Sequence, residues 1–131
     1  FIPGARSAEG HVHAPQPLKG LRVVEFTHMV MGPTCGMVLA DMGAEVIKVE
    51  PIDGEGTRRL LGAGAGFFPM FNRNKKSIAI DLHQPDGAAL ARELAASADV
   101  VAENFKPGTM VKYGLDYAAL SQVNARALPA P

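Results

Sequence analysis

Between residues 21 and 51 the chain passes from strand to helix to strand, and this passage constrains the fold most. Leu21-Arg22-Val23-Val24-Glu25-Phe26 is a β-branched, mostly apolar run bounded by Gly20, which predicts a strand. Thr27-His28-Met29-Val30-Met31-Gly32-Pro33 follows as a turn. Pro33 suits a first helical turn, where its missing N–H leaves nothing unpaired. Met37, Val38 and Met42 then recur at helical spacing over residues 34–42, and Gly43 ends the helix. Glu45-Val46-Ile47-Lys48-Val49-Glu50 is the next strand, stopped by Pro51. A strand–helix–strand unit of about 30 residues needs a crossover, and the crossover makes the two strands parallel and right-handed.

The rest of the chain repeats the theme. Residues 51–66 are rich in glycine and predict a mobile loop, followed by an aromatic patch at 67–71 and a polar, basic turn at 72–76. Ser77-Ile78-Ala79-Ile80-Asp81-Leu82 alternates like a strand. Pro85 opens an Ala- and Leu-rich helix reaching Ser97, and Asp99-Val100-Val101-Ala102-Glu103 is a fourth strand. Pro107-Gly108 begins a short helix to Lys112, Gly114 breaks it, and Asp116 is placed to cap a last helix over 117–123. The expected fold is α/β, a Rossmann-like parallel sheet with flanking helices. Residues 1–17, rich in Pro, Gly and Ala, read as a flexible leader. His11 and His13 in that leader lack a third metal ligand, so no metal site is expected.

Composition narrows the function. Thirteen Lys and Arg balance thirteen Asp and Glu in 131 residues, which argues against a nucleic-acid binder. The single Cys35 excludes an internal disulfide framework and suits a reducing, cytoplasmic setting. No apolar run is long enough to span a membrane.

In parallel α/β sheets ligands sit at the carboxyl ends of the strands. Here those ends are residues 27–32, 81–83 and 104–106. A helix opening near Pro33 would present free N–H groups to an anion, with His28 on the same turn. Dinucleotide binding is the rival, and Glu50 stands where a ribose-binding acid would. However, Gly32-Pro33-Thr34-Cys35-Gly36 lacks the required glycine spacing, and Gly62-Ala63-Gly64-Ala65-Gly66 precedes aromatics rather than a strand-to-helix turn. Arg58, Arg59, Arg73, Lys75 and Lys76 form a scattered basic set, a solvated face or a grip for a phosphate group. Cys35 reads as a small packed cysteine near the start of the helix, and the methionines as helix core filler.

Longer blocks say more. Leu18-Lys19-Gly20-Leu21-Arg22-Val23-Val24-Glu25-Phe26-Thr27-His28, then Gly32-Pro33, then Leu39-Ala40-Asp41-Met42-Gly43-Ala44-Glu45-Val46-Ile47-Lys48-Val49-Glu50-Pro51 closely resembles the opening of the family III CoA-transferases. Residues 72–82, 99–108 and 113–116 resemble its second and third blocks, in order and at the right spacing. The resemblance implies that 18–124 is the Rossmann-like, CoA-binding N-terminal portion of a larger interlocked homodimer. Residues 125–131 depart from the family pattern and read as a truncation. It implies acyl-CoA and carboxylic acid substrates, CoA as substrate rather than cofactor, and a nucleophilic Asp beyond Pro131. It also implies CoA contacts from His28, Val30, Met31, Asp81, Leu82, His83, Asn104, Phe105, Lys106 and Lys112. A racemase relative that binds CoA without a covalent enzyme–acyl species, or a non-catalytic CoA or nucleotide module, is the alternative.

Overall fold

The computed structural model describes residues 15–126; most of the predicted leader, with His11 and His13, and most of the predicted tail lie outside the described residues. Four parallel strands form one sheet: β1 (Arg22–Phe26), β2 (Glu45–Glu50), β3 (Lys76–Ala79) and β4 (Val100–Glu103), in the order β3-β2-β1-β4. Helix α1 (Met31–Asp41) links β1 to β2, and α3 (Pro85–Ala96) links β3 to β4. Between β2 and β3 lie two 3-10 turns, at Gly56–Arg59 and Gly62–Gly64, and the short α2 (Phe67–Phe71). Helices α4 (Thr109–Lys112) and α5 (Tyr117–Val123) close the described chain.

Period-2 alternation along the strands sends neighbouring residues to opposite faces. Val24, Phe26 and Val49 pack with Ile80, Ala91, Ala95, Met110, Leu115 and Leu120, so α3, α4 and α5 cover one face. Val23 and Val46 pack with Leu39 and Ala40 of α1 on the other. Both faces of β1 are therefore buried, as a central parallel strand requires. Gly43 ends α1 at φ +102, a conformation that costs glycine little.

Several local expectations need correction. Helix α1 starts at Met31, so Cys35 is its fifth residue, beyond the first turn, and it is exposed rather than packed. Among the methionines Met110 is buried, whereas Met29, Met31, Met42 and Met70 are exposed. β3 is shorter than the alternation suggested, because pairing with β2 ends where Glu50 meets Ala79. Asp116 occupies the N-cap position of α5 but its side chain makes no capping bond. The segment predicted as a mobile loop is built on the two 3-10 turns and buries Glu55 and Thr57.

Candidate functional site

The chain moves outward from β1 to β2 and β3, then returns to the other side of β1 for β4. The order reverses between β1 and β4, and such a switch point opens a crevice at the carboxyl ends of its strands. His28 follows β1 and Asn104 follows β4, and the two meet there. Asn104 Oδ1 accepts the His28 N–H at 2.9 Å, and its Nδ2 donates to the His28 carbonyl at 3.0 Å. The His28 ring stacks on Phe105 at 5.4 Å between centroids, and its Nδ1 is buried without a partner. Gly32 lies so close that a Cβ there would come within 2.7 Å of the Asn104 side chain. Met31 stands 81% exposed at the first position of α1, with half-buried Val30 before it. Lys106 is exposed on the turn after Phe105.

The remaining predicted site residues gather elsewhere on the same edge. Asp81 Oδ1 accepts the His83 backbone N–H at 3.0 Å and lies 3.1 Å from His83 Nδ1. His83 Nε2 lies 3.4 Å from the Tyr113 hydroxyl. Around them is a cavity of about 330 Å³, lined by Leu82, His83, Pro85, Arg92, Lys112 and Tyr113 among others. Arg92 donates to the Tyr113 carbonyl at 3.0 Å. Among the described residues no carboxylate forms an ion pair with Arg92 or Lys112. The cleft thus presents two unopposed cations to its contents, a setting that attracts anions. Arg92 was missed from sequence because it sits in the middle of a helix. Pro85, Ala88 and Arg92, spaced three and four apart, share one helix face, and that face was the available signal.

The scattered basic set is committed to other partners. Arg58 grips Glu50 with two bonds of 2.7 Å and lies 3.8 Å over the Phe68 ring. Arg73 bonds Asp41, Lys76 bonds Glu45, and Arg59 bonds the Asp53 carbonyl. Lys75 is buried: its Nζ donates to Glu25 Oε1 at 2.7 Å, the Pro33 carbonyl at 2.8 Å and Asn72 Oδ1 at 2.9 Å. These residues form no phosphate grip. Glu50 likewise has no free oxygen for a ribose, since Arg58, Ser77 and the Glu55 N–H occupy its carboxylate.

Sequence reasoning also missed a buried ionic network on the α1 face of β1 and β2. Lys48, 1% exposed, donates to the Thr27 carbonyl at 2.7 Å and sits 3.1 Å from Glu55 and 3.7 Å from Glu25. Three acids (Glu25, Glu50, Glu55) face three bases (Lys48, Lys75, Arg58), so the cluster is neutral as a whole. Burial would raise the Glu55 carboxyl, but the Thr57 hydroxyl, Lys48 and the Met29 N–H outweigh it and leave it below the usual range. Burial pushes the Lys75 ammonium down, against the pull of Glu25. Among the described residues no cluster of His, Cys, Asp and Glu could hold a metal, and no helix is long and apolar enough to cross a membrane.

Residues 18–127 match the sequence profile of CoA-transferase family III. The chain is 43% identical to succinate–glutarate CoA-transferase of Agrobacterium fabrum over 123 residues, 86% of this chain and 31% of that protein. It is 40% identical to formyl-CoA:oxalate CoA-transferase of Afipia carboxidovorans over 118 residues, 86% of this chain and 28% of the relative. A crystal structure of Rv3272 from Mycobacterium tuberculosis superposes with TM-score 0.83 at 44% identity, over 88% of this chain and 32% of the other. A CAIB/BAIF family protein from Brucella suis gives TM-score 0.77 at the same identity, over 85% of this chain and 32% of its own. The chain therefore spans about three-tenths of the length of these relatives. A profile match over most of the residues, agreeing in sequence and in fold, establishes that this chain belongs to CoA-transferase family III.

Proposed function

We propose that this chain is the CoA-holding portion of an enzyme that moves CoA between an acyl-CoA thioester and a free carboxylic acid. The observation that carries the reading is the carboxyl edge of the sheet. It offers a stacked imidazole and aromatic pair at the switch point, with a buried ring nitrogen that has no partner, and a cleft with two unopposed cations near the end of β3. CoA is long and polyanionic at its nucleotide end, so a basic cleft and a separate crevice on one edge fit it. His28, Val30, Met31, Asn104, Phe105 and Lys106 would border the arm. Asp81, Leu82, His83 and Lys112 would border the nucleotide end, with Arg92 added.

The chemistry then belongs to a carboxylate outside this chain. An Asp attacks the thioester carbonyl, expels CoA thiolate and becomes a mixed anhydride. The thiolate attacks the aspartyl carbonyl of that anhydride, releasing the product acid and leaving an aspartyl-CoA thioester. The acceptor carboxylate attacks this thioester, again freeing the thiolate, which takes the acceptor acyl group and returns the Asp carboxylate. The residues here bind and orient CoA through this sequence. Calorimetric titration with CoA, dephospho-CoA and adenosine tests the reading. CoA should bind most tightly, and its advantage should shrink as salt rises. Absence of saturable CoA binding overturns it. The homodimer that the resemblance implies is a separate part of the proposal, tested by light scattering of the longer polypeptide.

A further inference from the structure

The bend after β1 is held in an unusual way. Four successive backbone polar groups run through it, and each is taken by a side chain. The Thr27 carbonyl accepts from Lys48 Nζ at 2.7 Å. The His28 N–H and carbonyl are both bonded to the Asn104 amide. The Met29 N–H donates to Glu55 Oε1 at 3.0 Å and to Thr57 Oγ1 at 3.1 Å. Met29 itself has φ 65, a left-handed conformation that a residue with a side chain adopts only when its surroundings enforce it. The enforcing groups are buried: Glu55, Thr57 and Lys48 are each less than 5% exposed, and Glu55 is ion-paired to Lys48 at 3.1 Å. Thus Lys48 and Glu55, paired with each other, hold the two ends of the same bend.

We propose that Glu55 and Thr57, in the glycine-rich connection between β2 and β3, are positioning residues for the CoA site. They fix the left-handed turn at Met29, and the turn fixes where the His28 ring stands against Phe105. Neither need touch the ligand. Their burial explains why a segment that looks like a solvent loop carries an acid and a hydroxyl inside: both accept from the Met29 N–H, while Glu55 also pairs with Lys48 and accepts from the Thr57 hydroxyl. The inference rests on the CoA reading above for its functional half, and on geometry alone for the turn.

The test uses the whole chain. Thr57→Val keeps the side chain's size and removes its hydroxyl. It should weaken CoA binding about tenfold, the scale of one hydrogen bond to a charged group, because the hydroxyl also donates to the buried Glu55 carboxylate. It should also speed amide hydrogen exchange at Met29 relative to the core strands. Thr57→Ser restores the hydroxyl and should restore both. Glu55→Gln keeps an acceptor for the Met29 N–H but removes the charge facing the buried Lys48, so it should move both readouts in the same direction and by more. Leu120→Ala, in α5 on the opposite face, should lower stability while leaving CoA affinity and Met29 exchange unaltered, which separates positioning from general loosening. Unchanged Met29 exchange in Thr57→Val overturns the inference, and so does unchanged affinity beside a wild type that binds CoA. A wild type that does not bind CoA sinks the proposed function instead, and the turn is then judged on exchange alone.

Discussion

Acid should destabilise this protein by a route that passes through Glu50. Burial opposes ionisation of its carboxyl, yet Arg58, the Glu55 N–H and the Ser77 hydroxyl together bring it from an ordinary 4.5 to about 2. A lower value in the folded chain means that the unfolded chain takes up the proton more readily. Stability from this group is therefore complete above about pH 4.5 and is lost as the pH falls toward 2. The full interval corresponds to roughly 3 kcal/mol. Arg58 is 41% exposed, so screening trims the expected figure to about 2 kcal/mol. Urea midpoints measured between neutral pH and about pH 3, for wild type and Glu50→Gln, isolate this contribution. Glutamine keeps the volume and an acceptor for Arg58 but cannot ionise. Wild type should begin well above the variant at neutral pH, and by about pH 3 the gap should have narrowed by a little over half of that figure, about 1 kcal/mol. Exposed carboxylates such as Asp41 and Glu45, also lowered by their basic partners, titrate equally in both proteins and cancel. Parallel pH profiles would refute the reasoning.

Other substitutions probe the same framework. Gly36→Ala should destabilise strongly in chemical denaturation, because the added Cβ would overlap the buried Glu25 carboxylate, outweighing a helix-propensity gain of about 1 kcal/mol. Lys75→Met should cost about 3–5 kcal/mol by the same assay, since it leaves Glu25 buried with only Lys48 at 3.7 Å. Lys112→Ala should weaken CoA binding several-fold at low salt and less at high salt, as a screened contact of about 1 kcal/mol would, and calorimetry at two ionic strengths reads this directly. Lys112→Arg should bind as well as wild type or slightly better, because Arg can grip a phosphate with two bonds.

What the sequence made legible follows from periodicity. β1, α1, β2, α3 and β4 announce themselves because their buried faces repeat at strand or helix spacing, and the closing helices because Pro107, Gly108 and Gly114 punctuate them. The residues at the strand ends were found for the same reason: in parallel sheets position alone marks them. The ionic network was illegible because Glu25, Lys48 and Glu50 alternate with apolar neighbours just as a solvated strand face would. Only the close seating of α1, permitted by Gly36 over Glu25, turns that face inward. Residues 51–66 misled for a related cause. Their glycines signal freedom, whereas two side chains between them, Glu55 and Thr57, are held by groups far away in sequence.

The bend after β1 also says something about the order of folding. Its bonds reach residues 21, 26, 28 and 76 positions further along, in three different segments. Local helix formation in α1 or α3 does nothing to complete it, and loops of that length close late relative to nearby contacts. The chain must pair β1 with β4, seat the 3-10 turn at Gly56–Arg59, and bury Lys48 before His28 has a fixed place. In a refolding experiment the far-ultraviolet signal of the helices should therefore recover first and ligand binding last, so that binding competence serves as a clock for the final step of assembly.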